Sequence, residues 1–253
     1  MKKRLVLKLG TSTLTAGSHQ ISFGKLEDIS RQIVELKEKY DIIIVSSVAI
    51  AASKQFVQIN NAGSEIHAKQ ALSAIGQPRL MRIYDQVFSS FGLHIAQCLL
   101  TYRDFENTTA VQNTKNTIQT LIENDFIPII NENDTVATEE IVLGDNDKLS
   151  ALVAVTMDVD LLVIASDIDG LFDKNPFLDS EAKFISEVTD LKTVQGFAQE
   201  KESKLGTGGM TTKFKAIAIT ASTKVETWLV NGQLPNFLVL AMANKIRFTR
   251  FKV

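Results

Sequence analysis

At 253 residues and 45% apolar content, the chain suits one large domain with a sizeable core. A formal net charge of -2 and the lack of a long basic run argue against a nucleic-acid partner. Lys2-Lys3-Arg4 precede too short an apolar run for a secretory leader, no apolar stretch approaches a membrane span of ~18 residues, and a lone cysteine, Cys98, excludes an internal disulfide or multi-thiol zinc site, so the expectation is a cytoplasmic protein.

Short β-branched or aliphatic runs alternate with longer amphipathic stretches, the pattern of a mainly parallel sheet covered by helices. The first strand, residues 4–9, contains Lys8 and runs into Gly10-Thr11-Ser12-Thr13. An ammonium at the end of a central strand is costly near the core unless it is paired. Gly10 allows a close turn, after which hydroxyls and backbone N–H groups can approach phosphate oxygens. A lysine snorkelling from a strand end is the competing reading. Leu26, Ile29, Ile33, Val34 and Leu36 give helical spacing to residues 23–39. The second strand, 42–46, passes into Ser47-Val48-Ala49-Ile50-Ala51-Ala52-Ser53. Small residues there permit close approach of a ligand, with Ser47 as a donor; plain helix–sheet packing explains them equally. A helix over 69–91, broken near Gly76-Gln77-Pro78, precedes a strand at 93–99 and a helix at 111–124.

The strand at 126–130 ends in Asn131-Glu132-Asn133-Asp134, and Asp145-Asn146-Asp147 follows directly before an apolar helix at 148–157. No Lys or Arg falls between Lys115 and Lys148, whereas eight carboxylates do. Two polar clusters at the end of a strand and the start of a helix mark the place where open α/β sheets bind ligands. The Glu139-Glu140 link between them reads as a solvated hairpin. The strand at 161–165 leads into Ser166-Asp167-Ile168-Asp169-Gly170, suited to nucleotide or Mg²⁺ contacts, although turn chemistry accounts for it too. Leu171 and Leu149 occupy liganding positions that an EF-hand would need, which excludes that motif at both places. Residues 195–209 read as a mobile loop, and Gly206-Thr207-Gly208-Gly209-Met210-Thr211-Thr212-Lys213 opens a helix at 211–222. Glycines before a helix N-terminus, with Thr and Lys as further donors, make a phosphate cradle, although this is not a Walker A loop. A strand at 225–230, in which Trp228 reads as core, precedes a final helix and strand. His19, His67 and His94 lack metal-ligand spacing, and no nucleophile elbow is present.

In order along residues 4–215, LKLGTSTLT, VSSVAIAAS, QALSAIGQPRLM, AQCLLTYRD, PIINENDTV, GDNDKLSALVA, SDIDGLFDKNP and GTGGMTTK resemble the amino-acid kinase family. Within it they are similar to the members that phosphorylate glutamate at the start of proline synthesis. The resemblance implies a three-layer αβα sandwich around a mostly parallel sheet of about eight strands. It implies one kinase domain over 1–253, the N-terminal part binding mainly L-glutamate and the C-terminal part ATP. Ser47, Asp134 and Asn146 would hold glutamate. Lys8, Gly10, Ser166, Asp167, Thr207, Gly208, Gly209, Met210, Thr211, Thr212 and Lys213 would hold ATP. Lys8 and Lys213 would be the catalytic cations and Asp147 their orienting carboxylate. Mg²⁺ would come with ATP rather than sit in a protein cage. Proline as a feedback inhibitor and a homo-dimer or tetramer are further expectations of the resemblance; a nucleic-acid or membrane partner is not.

The chain departs from the family pattern at three places. Val48 and Ser53 stand where the corresponding loop has glycine, and a β-branched residue is disfavoured if the backbone at 48 needs positive φ. RFTRFKV replaces a glycine-bearing GT-x-F ending, and the expectation is a kinase domain without the PUA domain that many members carry. Val48 keeps open a catalytically weak glutamate- or proline-binding regulator. Another family member, such as an acetylglutamate or aspartate kinase, is the second alternative.

Overall fold

The computed structural model describes residues 2–18, 20–54, 57, 65–137, 146–176, 178–194, 196–197 and 209–253. The chain begins with β1 (Lys3–Leu9), α1 (Thr11–Leu14), α2 (Phe23–Leu36), β2 (Tyr40–Ser46), α3 (Ala49–Lys54) and α4 (Glu65–Ser89). It continues through β3 (His94–Leu100), α5 (Thr108–Glu123), β4 (Phe126–Glu132), α6 (Asn146–Thr156) and β5 (Leu161–Ser166). The short strands β6 (Leu171–Phe172), β7 (Phe184–Ile185) and β8 (Glu187–Val188) precede α7 (Met210–Thr220), β9 (Glu226–Asn231), α8 (Phe237–Met242) and β10 (Phe248–Phe251).

Strand alternation divides the apolar residues between two cores, one on each face of the sheet. Leu5, Leu7 and Leu9 of β1 pack with Ile42 and Ile44 of β2 beneath α2, α4 and α8. Val6, Ile43 and Val45 face the other way, toward α5, α6 and α7. The sheet order is β3-β4-β2-β1-β5-β9-β10-β8. Only the β9–β10 pair is antiparallel among these described strands. This is the expected three-layer αβα sandwich with eight strands in the main sheet. β6 and β7 form a separate antiparallel ribbon.

The six sequence-predicted strands all form, with ends shifted by one or two residues. Helix 23–39 stops at Leu36, and Ser22 caps its start by accepting the Lys25 N–H at 3.2 Å. The break expected near Gly76-Gln77-Pro78 does not occur: α4 is continuous from Glu65 to Ser89 with Pro78 inside it. Proline deletes one helix hydrogen bond and crowds one preceding carbonyl. Leu80, Tyr84, Val87 and Phe88, all buried, hold the second half of α4 on the sheet regardless. The two-residue strands β6, β7 and β8 carry too little periodicity to be read from sequence. At the C-terminus, the Phe248 ring packs at a tilt against Trp228, ring centroids 4.6 Å apart. No helix of the described residues is long and apolar enough to cross a membrane.

Candidate functional site

The parallel strands β1, β2, β4 and β5 all end at the same side of the sheet, and the polar residues of the sequence motifs collect there. Lys8 pairs in register with Val45 and Ile164 and lies on the face covered by α6 and α7. Burial of an ammonium at this depth demands an anion. Asp147, in the first turn of α6 and fully buried, supplies it. Its Oδ1 lies 2.5 Å from Lys8 Nζ, and its Oδ2 lies 3.2 Å from Lys213 Nζ, which comes from the first turn of α7. Thr212 Oγ1 lies nearby, 3.4 Å from the same Oδ2. One carboxylate therefore fixes two ammonium groups that β1 and α7 bring from opposite ends of the chain.

Burial pushes the Asp147 carboxyl up, but the charges of Lys8 and Lys213 and their hydrogen bonds outweigh it and hold the group down at about 2. It stays ionised throughout the physiological range. The helix N-terminus on which it sits favours a negative charge as well. Gly10 follows Lys8 closely: an added Cβ would lie 3.5 Å from Lys8 Nζ and 3.6 Å from the Ala165 carbonyl. A methyl group there would sit at ordinary van der Waals distance from both, so the backbone lies directly beside the ammonium.

Asn146 and Asp147 are adjacent on α6, so the helix turns them about 100° apart. Asn146 consequently faces the neighbouring strands. Its Nδ2 donates to the Ser46 carbonyl at 2.6 Å and to Asn131 Oδ1 at 2.7 Å. Asn131 Nδ2 donates in turn to Gln77 Oε1 at 2.7 Å. Asp134 accepts a 2.6 Å bond from Ser73 Oγ. Burial pushes the Asp134 carboxyl above the usual carboxylate range, and the Ser73 bond offsets only part of that. Ser47 is half-buried beside this group, its N–H donating to the Leu9 carbonyl at 3.1 Å.

Sequence reading gave no role to α4, yet α4 organises this second cluster. Gln70 donates to the Ala137 carbonyl, Ser73 to Asp134, and Gln77 accepts from Asn131. Further along the same helix, Tyr84 OH and Ser46 Oγ share a 3.0 Å hydrogen bond. The spacing 70, 73, 77, 84 is a single helical face, a polar stripe that could have been noticed in the sequence. Its meaning depends on which strands it meets.

On the other side, β5 delivers Ser166, buried, and Asp167, half-buried, with Ser166 Oγ donating to Asp167 Oδ1 at 3.2 Å. Gly209 begins α7; Met210 is half-buried and Thr211 exposed. Thr212 Oγ1 donates back to the Gly209 carbonyl at 2.7 Å. The structure brings Lys8, Gly10, Asp147, Thr212 and Lys213 together. It places Ser166 and Asp167 at the end of β5, immediately beside β1 in the sheet. Thr207, Gly208, Asp145, the Glu139-Glu140 link, His19 and most of the loop expected at 195–209 lie outside the described residues. His67 and His94 are exposed, and Cys98 is partly buried, its thiol pushed up by burial. Among the described residues no group of three or more His, Cys, Asp or Glu converges as a metal site.

The model of the amino acid kinase family matches residues 3–231. The chain is 40% identical over 254 residues to glutamate 5-kinase of Dehalococcoides mccartyi (strain ATCC BAA-2266 / KCTC 15142 / 195), covering 98% of this chain and 68% of the relative. Glutamate 5-kinase of Pasteurella multocida (strain Pm70) is 38% identical over 253 residues, covering 99% and 69%. The chain thus spans about two thirds of the length of these curated relatives. Among solved structures, UMP kinase from Ureaplasma parvum superimposes with a TM-score of 0.70 at 16% identity, each chain covered completely. Isopentenyl phosphate kinase gives 0.65 at 15%, over 98% of this chain and 99% of that one. At those identities the likeness is one of fold.

Proposed function

The chain belongs to the amino acid kinase family, in company with its glutamate 5-kinase members, and on that premise we propose that it transfers the γ-phosphoryl group of ATP to the γ-carboxylate of L-glutamate. The products are L-glutamyl 5-phosphate and ADP, the opening step of proline synthesis from glutamate. The observation that supports the reading best is the Lys8–Asp147–Lys213 triad, at 2.5 and 3.2 Å, beside a separate polar cluster around Asn146.

The chemistry asks little of acid–base groups. A γ-carboxylate with an ordinary pKa of about 4.3 is already a nucleophile at neutral pH. The exposed histidines have no part in it. What the reaction needs is alignment of two anions and stabilisation of charge on the transferring group. Asp134 offers a carboxylate to the α-ammonium of glutamate, and Asn146, whose Nδ2 hydrogens are both engaged, offers its Oδ1 to the same group, while Ser47 offers a donor to a substrate carboxylate. Ser166, Asp167 and residues 207–213 hold ATP, with Gly10 beside Lys8 at the floor of the phosphate site. Lys8 and Lys213 then face the transferred phosphoryl group, and Asp147 sets the distance between them. Mg²⁺ carried by ATP supplies further charge neutralisation. Ser166 and Asp167 offer the hard oxygens that such an ion takes, since Mg²⁺ commonly uses one or two carboxylates plus phosphates. Proline acting as a feedback inhibitor in the glutamate pocket, a cytoplasmic location and a homo-oligomeric assembly complete the proposal.

An ADP-release assay with L-glutamate, L-aspartate, N-acetyl-L-glutamate and UMP as acceptors tests the substrate. Turnover with glutamate is the expected result; turnover only with another acceptor would remove the proposal. Lys213→Met should lower kcat by about 10²-fold or more, the scale of one lost transition-state donor. Asp147 keeps Lys8 in this variant, so far-UV circular dichroism should stay native. Undiminished kcat would take Lys213 out of the chemistry.

A further inference from the structure

The segment leaving β5 is tied down by residues far from it in sequence. Thr249 of β10 is fully buried. Its Oγ1 accepts the Leu171 N–H at 2.7 Å and donates to the Ile185 carbonyl at 2.5 Å. One hydroxyl therefore joins the end of the 166–171 segment, the β6–β7 ribbon and the last strand of the sheet. Only a side chain that donates and accepts through one atom can do this, and a buried N–H or C=O left unmatched is costly.

Gly170 is shaped around the same contact. Its φ is +137°, and an added Cβ would lie 2.5 Å from Thr249 Oγ1 and 2.9 Å from the Thr249 nitrogen. Two more ties hold the upstream part. The Gly232 N–H donates to the Ser166 carbonyl at 2.8 Å, and Asn231 Nδ2 donates to Asp169 Oδ1 at 2.8 Å. Ser166, Asp169 and Leu171 are thus each anchored to a different group. Asp167 and Ile168 stand between the anchors, both half-buried.

We propose that Thr249 is a positioning residue for the nucleotide: its hydroxyl sets the path of residues 166–171 so that Ser166 and Asp167 meet ATP. The proposal rests on the nucleotide reading of this segment given above. A purely structural staple would weaken both ligands together, whereas a positioning residue weakens the nucleotide alone.

Isothermal titration of the full chain with the non-hydrolysable analogue AMP-PNP plus MgCl₂, and separately with L-glutamate, distinguishes the two. Thr249→Val should raise the Kd for AMP-PNP about tenfold, the equivalent of a lost hydrogen bond. The Kd for L-glutamate should change by less than about twofold, because the α4-organised cluster is untouched. Thr249→Ser keeps the hydroxyl and should bind AMP-PNP like the unaltered chain. Gly170→Ala strikes the same contact from the loop side and should reproduce the selective loss; it decides the matter if Thr249→Val does not fold. Equal weakening of both ligands, or no weakening, in the folded variants overturns the proposal. Asp167→Ala separates the two levels. If it leaves AMP-PNP affinity intact, the nucleotide reading of this segment falls and the proposal with it. If it weakens AMP-PNP while Thr249→Val and Gly170→Ala do not, the positioning role alone is wrong.

Discussion

Val48 combines a φ of +88° with burial, and it is the single β-branched residue at positive φ among the described residues. The other non-glycine positions of this kind are Ala16, Asp125, Asp158, Asn236 and Asn244, mostly Asp and Asn, which tolerate that region. Positive φ at a β-branched residue costs on the order of 1–3 kcal/mol, and such strain persists only where the surroundings impose it. Here the strand β2 ends, Ser47 donates to Leu9, and Ala52 donates to the Val48 carbonyl as α3 begins. Two substitutions separate strain from packing. Val48→Ala keeps the unfavourable backbone and loses two methyl groups; Val48→Gly loses a little more packing but frees the backbone. Urea denaturation should therefore find the glycine variant more stable than the alanine variant by about 1 kcal/mol. Alanine equal to or better than glycine would show that φ at this position carries no strain.

Among the elements, α4 reaches furthest into the site, and Gly76 is what lets it do so. A Cβ at Gly76 would fall 1.7 Å from the Ala49 carbonyl oxygen and 3.0 Å from the Ser53 nitrogen. Glycine within a helix costs about 1 kcal/mol relative to alanine, so this contact must outweigh that cost. Ser53 is buried at the same place, its hydroxyl donating to the Ile50 carbonyl at 2.7 Å. Gly76→Ala should lower stability by about 1–3 kcal/mol despite better helix propensity, because two backbones would have to separate. It should raise KM for glutamate as well, since Ser73 and Gln77 flank Gly76 and hold Asp134 and Asn131. A thermal melt and a glutamate saturation curve check both effects; a gain in Tm would contradict the close approach.

At the scale of the whole molecule, the triad couples stability to acid. Asp147 is held at about 2 in the folded chain, against an unfolded carboxyl near 3.9. A depressed pKa contributes stability that is present above the unfolded value and disappears as pH falls through the folded one. That contribution is about 2 kcal/mol, lost between roughly pH 4 and 2. Asp134, shifted upward, acts in the opposite sense. Lys213→Met removes one of the two cations that lower the Asp147 value. Acid unfolding followed by circular dichroism should then set in at higher pH than in the unaltered chain. Coincident acid midpoints would mean that Lys213 does not share in holding the carboxylate.

Much of this was legible in the residues themselves. Period-2 and period-3.6 patterning marked six strands and the principal helices, and the order of motifs marked the family, because both depend on local side-chain chemistry. Lys8, Asn146, Asp147 and Lys213 could be singled out as polar residues at the ends of strands and the starts of helices. Which of them meet was settled by parallel pairing: β1 lies beside both β2 and β5, and α6 and α7 cover the same face, so Asp147 reaches Lys8 and Lys213 together. The unbroken course of α4 through Pro78 was likewise a tertiary outcome, since burial of its later turns exceeds the local cost of proline. Thr249 looks like an ordinary strand residue until the fold sets it beside Gly170. Sequence fixes what each side chain can do; long-range packing across the sheet decides which of those capacities act at one point.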